Sequence, residues 1–296
     1  MGTSWSVRAV DPAPGLRAEI EGVLANVIAE MSHWEPTSSL SRFNRADPGR
    51  WQPLPPGFAQ VLAAGLAIAE ASDGAFDPAT GVLADLWGFG PAGRRAVPDD
   101  EAVAEAVARS GHRHIEQDGS RARRHAEVAL DFSGIAKGYA VDVLARRLRG
   151  LGMADFLVEI GGELRGAGIK PDGQPWWIDV EMPGSSVAPI RVALHGLSVA
   201  TSGDYRRYFE SEGRRYSPGP GLAKLQMHAE AYSLSDRAAP LVRRAIPAVS
   251  RDCASWRPRS IRAESVGIAR FGGVTAYASE SRLELTRYTA PSATTT

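Results

Sequence analysis

A stretch suited to handling phosphate lies in mid-chain: Leu130-Asp131-Phe132-Ser133-Gly134-Ile135-Ala136-Lys137-Gly138-Tyr139. A short apolar run enters a glycine-bearing turn that opens a helix. Backbone amides at that helix start, together with the Lys137 ammonium, make a site for phosphate. Gly134 can bring its carbonyl close to a ligand, because no side chain blocks the approach. Neither the G-x-x-x-x-G-K-S/T spacing nor a dinucleotide fingerprint is present. A plainer reading, a helix N-cap at Ser133 and a surface lysine, stays open. Lys137 is nevertheless a rare choice, since the only other lysines are Lys170 and Lys224 among 34 basic residues.

Three further constellations could carry chemistry. Trp34 sits among Ser32, Ser38, Ser39 and Ser41 in a polar stretch that closes on Arg42-Phe43-Asn44. An indole there could stack on a planar ligand ring, or simply cover a core edge. In Gly74-Ala75-Phe76-Asp77-Pro78, the proline holds Asp77 away from the helical region. The carboxylate and nearby amides of that bend could hydrogen-bond a heterocycle edge, or form a capped turn. Glu159-Ile160-Gly161-Gly162-Glu163 and Thr201-Ser202-Gly203-Asp204-Tyr205 are glycine-bearing turns after strands, and either could line a pocket.

The elements that must position these residues follow from periodicity. Thr3 to Val10 alternates as a strand. Apolar Leu16, Ile20, Val23, Leu24, Val27 and Ile28 give an amphipathic helix over Leu16 to Met31. Ser32 to Asn44 reads as a loop. Phe58 to Ala71 and Glu101 to Arg109 read as helices, and Val128 to Phe132 as a short buried strand. Ile135, Tyr139, Val143, Leu144, Leu148 and Leu151 share one face of a helix that should pack on a sheet. Phe156 to Ile160, Trp176 to Met182 and Ile190 to Leu194 are further strands. Helices and strands alternate without strict βαβ order, so the expected class is α+β with mixed β-sheets and packed helices.

Composition narrows the function. The 296 residues are 44% hydrophobic, enough for one large domain or two small ones. Thirty-four basic residues balance 34 acidic ones, which removes any global electrostatic case for nucleic acid or anionic membrane. Cys253 is the single cysteine, so no internal disulfide framework and no cysteine-based zinc site exist. No apolar run approaches the ~18 residues of a transmembrane segment. With Met1-Gly2-Thr3 at its start and no leader, the chain as written is expected in the cytoplasm. Loss of an upstream leader would make it exported or membrane-anchored.

Taken in order, the motifs resemble the ApbE family, the FAD:protein FMN transferases. The matching pieces are Met1-Gly2-Thr3, Ser32-His33-Trp34-Glu35-Pro36 with Ser41-Arg42-Phe43-Asn44, and Phe76-Asp77-Pro78 with Leu86-Trp87-Gly88-Phe89-Gly90. Leu130-Asp131 through Gly138-Tyr139, then the turns at Glu159 to Glu163 and Thr201 to Tyr205, complete the set. The resemblance implies an ApbE-like, T-fold-related architecture over 1–217. It also implies binding of FAD with Mg²⁺, transfer of FMN to a threonine or serine hydroxyl of an acceptor flavoprotein, and release of AMP. Carried over by position, the flavin-nucleotide contacts are Met1, Trp34, Ala75, Phe76, Asp77, Asp131 and Lys137. Lys137 would pair with phosphate or hold Asp131, Gly134 would give its carbonyl to the metal, and Asn44 would shape the pocket.

After Ser217 the resemblance ends. The family's His-x-x-Asp-Pro-x-x-Gly block is replaced by Pro218-Gly219-Pro220-Gly221, and His228 does not match its histidine. Of the family's Ala-Asp-x-x-x-Thr metal helix, Asp236 survives within Ser235-Asp236-Arg237-Ala238-Ala239-Pro240, with proline in the place of threonine. The region 218–296 is therefore expected to be divergent: either the product of a shifted reading frame, or a real tail that leaves metal affinity poor and transfer slow or absent. The alternative function is an FAD-binding protein without transferase activity.

Overall fold

The computed structural model describes residues 3–93, 95–180, 190–200, 208–211 and 213–216. Met1, the turn at Thr201 to Tyr205, and everything from Ser217 onward, including Lys224, His228, Asp236 and Cys253, lie outside the described residues. In chain order the elements are β1 (Trp5–Ala9), α1 (Leu16–Met31), α2 (Ser39–Arg45), β2 (Gln52–Pro53), α3 (Pro56–Ala71), α4 (Gly81–Leu86) and α5 (Asp100–Ala108). They continue with β3 (Ile115–Asp118), β4 (Arg121–Arg124), α6 (Ala136–Gly150), β5 (Phe156–Ile160), β6 (Glu163–Ala167), β7 (Trp176–Val180) and β8 (Ile190–Leu194). Last come β9 (Ser198–Val199), β10 (Phe209–Ser211) and β11 (Arg214–Tyr216). The α+β class holds. Every described strand pairing is antiparallel, where the sequence reading expects mixed sheets.

The described residues fall into two compact units. One comprises 25–136 with 208–216. Its sheet has the order β2-β4-β3, and β10 and β11 form a separate hairpin. Phe58 at the start of α3 is its core anchor, with ring edges against Phe43 at 5.8 Å and Phe132 at 5.2 Å. All three rings are buried, each contributing about 2–3 kcal/mol of apolar transfer energy. The second hairpin is held to the Trp87-Gly88-Phe89 segment by rings. Trp87 stacks on Tyr216 at 5.3 Å, Tyr216 on Phe209 at 5.1 Å, and Phe89 lies 5.6 Å from Phe209.

The other unit comprises 3–24 with 137–200. Its sheet runs β1-β5-β6-β9, beside the β7–β8 hairpin. Leu157, Trp176 and Leu194 close a core that Val10, Leu164, Ile178 and Val192 extend. Gly166 on β6 is required by that packing, since a Cβ there would lie 2.5 Å from the Leu194 Cβ. Two ion pairs join α6 to β6: Lys137 to Glu163 and Asp142 to Arg165.

Two expectations from the sequence change. The loop expected over Ser32 to Asn44 holds a helix in its second half. Ser38 caps α2, its hydroxyl accepting from the Ser41 amide at 3.0 Å, which supplies the start signal that apolar periodicity lacks. Val128 to Phe132 is buried but is not a strand. Its backbone is satisfied piecemeal: Asn44 accepts from Leu130 N and donates to Leu130 O, both at 2.8 Å, so one side-chain amide replaces a ladder neighbour.

Candidate functional site

In the first unit, three irregular segments meet. Gly81 N donates to Ala129 O at 2.9 Å, and Asp131 N donates to Pro78 O at 2.8 Å. These bonds tie the Asp77 bend to the Asp131 segment, and Asn44 fixes the latter from the end of α2. Residues 44, 77 and 131, separated by dozens of positions in the chain, are thus held in one place by two backbone bonds and the Asn44 side-chain amide.

Each aspartate there is met by a histidine that sequence reasoning did not single out. Asp77 Oδ1 accepts from Ala79 N, and Oδ2 accepts from both His112 N and His112 Nδ1, all at 2.8 Å. A carboxylate only accepts, so Nδ1 carries the proton and a neutral His112 keeps Nε2 as an acceptor. Asp131 is buried; its Oδ1 accepts from Ser133 N at 2.7 Å and lies 3.4 Å from His33 Nδ1. His33 in turn packs against Trp34, their rings tilted at 5.3 Å. Trp34 is 46% exposed, which suits a platform for a planar ring. No sequence signal beyond adjacency to Trp34 marks His33. For His112, the glycine before it is the only hint.

Phe76 is in the core at 7% exposure. The Ala75-Phe76-Asp77 bend can therefore offer a ligand backbone groups but not the phenyl ring. Ala75 N donates to Ser72 O, and Phe76 N donates to the Ser72 hydroxyl. The amides expected to bind phosphate at the start of α6 are also engaged. Ile135 N and Ala136 N both donate to Phe132 O, and Ser133 N donates to Asp131. The turn satisfies these amides itself, through Asp131 Oδ1 and Phe132 O rather than a Ser133 cap.

In the second unit, Lys137 lies in the first turn of α6. Its Nζ sits 2.6 Å from Glu163 Oε2 and donates to Gly161 O at 3.2 Å. Burial pushes the Glu163 carboxyl up, Lys137 opposes that shift, and Glu159 adds to it. The sequence presented the turn at 159–163 only as a pocket wall; its terminal glutamate is the partner of the rare lysine.

Among the described residues, no three His, Cys, Asp or Glu side chains gather where a metal ion could sit. Gly134 offers one carbonyl, and Asp236 is outside the described residues. Mg²⁺ takes about six oxygen ligands in near-octahedral order, so the described residues do not by themselves build its site. No described helix is long and apolar enough to cross a membrane.

The fold is similar to that of solved flavin transferases. A flavinyl transferase ApbE of Pseudomonas stutzeri, in apo form, is 44% identical with a TM-score of 0.64, covering 70% of this chain and 65% of that one. A flavin transferase ApbE from Vibrio cholerae is 34% identical with a TM-score of 0.65, covering 71% of each chain. Among curated proteins, the FAD:protein FMN transferase of Haemophilus influenzae is 36% identical over 233 residues, 73% of this chain and 67% of the relative. The chain spans about two thirds of the length of these relatives, and slightly less of some. The ApbE family model matches residues 1–218. The chain belongs to the ApbE family.

Proposed function

We propose that this protein is an FAD:protein FMN transferase. The observation that carries the reading is the backbone knot that gathers Asn44, Asp77 and Asp131, in a family whose relatives bear that name. The hydroxyl oxygen of a threonine or serine on an acceptor flavoprotein attacks the FMN phosphorus. A new P–O bond forms as the bond to the bridging oxygen breaks. AMP leaves with that electron pair, and the hydroxyl proton passes to solvent. Such a transfer depends mostly on positioning and charge neutralisation. Trp34 would carry a ring, the Ala75–Asp77 bend and Asp131 would fix polar edges, and Lys137 would meet phosphate charge. Met1, outside the described residues, is proposed as a further contact.

Mg²⁺ dependence is part of the proposal through the family resemblance, with Gly134 and Asp236 as the protein ligands. When bound, the ion would neutralise phosphate charge. A second reading, an FAD binder that does not transfer, is favoured by Pro218-Gly219-Pro220-Gly221 and by Pro240. FAD titration with and without Mg²⁺ tests the site. Asp77→Asn and Asp131→Asn should each weaken FAD binding by about tenfold or more, roughly the loss of one charge-assisted hydrogen bond. Unchanged affinity in both would remove the site. Whether an acceptor gains flavin separates the two readings.

A further inference from the structure

Lys137 is the cation assigned to the nucleotide phosphates, yet its ammonium already has two partners. Glu163 Oε2 lies at 2.6 Å and Gly161 O at 3.2 Å, which leaves one of three N–H groups. Both partners come from one rigid turn. Gly161 and Gly162 have φ of +60° and +99°, and a Cβ on Gly161 would lie 2.4 Å from the Thr3 hydroxyl. The two side chains differ in access: Lys137 is 30% exposed and Glu163 only 10%. An incoming anion can reach the ammonium, while the carboxylate cannot follow it out to water.

That asymmetry sets a problem for a diphosphate. Two phosphate charges that claim Lys137 would strand a buried carboxylate, which costs several kcal/mol unless its charge is removed. Among the described residues, the charged groups facing Glu163 offer no replacement cation. They are Lys137 from α6 and Glu159 from β5, the latter accepting from the Ser6 hydroxyl of β1 at 3.1 Å. Arg165, two residues along β6, is already paired with Asp142 of α6. With no further side-chain cation at hand among the described residues, a proton from solvent would neutralise the carboxylate, and burial already favours the protonated carboxyl.

We infer that Glu163 is the positioning residue of Lys137, and that it releases the ammonium to a diphosphate by taking up one proton from solvent. The inference rests on the reading that Lys137 meets the phosphates of FAD. The proton adds to the carboxylate, and no other bond changes. The diphosphate of FAD does not titrate near neutrality, so uptake there that is lost in Glu163→Gln would report Glu163 rather than His33 or His112. Binding should then weaken as pH rises, by up to about tenfold per pH unit.

Calorimetric titration in buffers of different ionisation enthalpy, between about pH 6 and pH 8, reads the protons directly. The probes are FAD and riboflavin, which has no phosphate; the proteins are wild type, Glu163→Gln, Glu163→Asp and Lys137→Met. Wild type should take up close to one proton with FAD and none with riboflavin. Glu163→Gln should bind FAD without uptake, with a flat pH profile and tighter than wild type near pH 8. Glu163→Asp, which keeps the carboxylate, should retain uptake, and it carries the test if the glutamine variant does not fold. Absence of uptake in wild type, or uptake that persists in Glu163→Gln, overturns the inference while leaving Lys137 at the phosphates. Lys137→Met binding FAD like wild type overturns that placement itself, and the inference with it.

Discussion

Two ion pairs cross between α6 and β6 with opposite polarity and different surroundings. Asp142 and Arg165 are 2% and 14% exposed, whereas Glu163 and Lys137 are 10% and 30% exposed. Chemistry and interface are shared, so burial alone separates a pair that serves as scaffold from one that a ligand can open. A third pair, Asp179 with Arg191 across β7 and β8, is 48% and 66% exposed and completes the gradient. Asp179 and Arg191 approach to 2.7 Å, about as close as Lys137 and Glu163. What differs is how much water each partner keeps when the other is taken away.

Substitutions down this gradient should fall in the same order. Arg165→Met takes an ion-pair partner from the buried Asp142 and should cost up to about 3–5 kcal/mol of stability, read by urea denaturation. A loss below about 1 kcal/mol would mean that this pair is not sealed, and the contrast would collapse. Glu163→Gln keeps an acceptor for Lys137, which also retains Gly161 O, so its effect at neutral pH should stay within about 1 kcal/mol. Its signature lies in the pH dependence instead. Burial holds the folded Glu163 carboxyl above its unfolded value, so the stability it adds is complete at low pH and declines as pH rises through the folded value. Glu163→Gln should flatten that decline, and an unaltered profile would place the titration elsewhere. At the exposed end, Asp179→Asn should leave the melting temperature unchanged at physiological salt, because solvent screens the pair.

The unit of 25–136 offers a different way to sharpen the contrast, since a neutral side-chain amide, Asn44, fixes the segment that carries Asp131. Asn44→Ala removes both partners of the Leu130 backbone, and each buried group left unmet costs about 1–3 kcal/mol. The cost should appear in denaturation and also as weaker FAD binding, because Asp131 follows Leu130 directly. A stability loss with intact FAD affinity would show that the Asp131 segment does not depend on this clamp.

Much of this was readable in the chain. α1, β5 and β8 match their periodic patterns to the residue, and α3, α5 and α6 follow closely, because apolar spacing is a local property. The start of α2 was not legible, since a single serine hydroxyl sets it. Nor was the irregular course of Val128 to Phe132, whose apolar run is that of a strand but whose hydrogen-bond partner is a side chain 86 residues earlier. Asp77, Asp131 and Lys137 stood out as site residues; of their partners, His33 and Glu163 lay inside the motifs without a role, and His112 lay outside them all. Pairings of that kind are made by tertiary contact between turns, and no spacing rule encodes them. Lys137 illustrates the point: its rarity was visible at once, and the glutamate that holds it was not.

The most direct test is transfer itself. The full chain would be incubated with FAD, Mg²⁺ and an acceptor flavoprotein bearing the target threonine, with intact-protein mass spectrometry for the acceptor and chromatography for AMP. Acceptor carrying one FMN through a phosphoester, with one AMP released per label and none after threonine-to-alanine replacement in the acceptor, is the expected result. FAD that stays bound and intact while the acceptor remains unlabelled would contradict it.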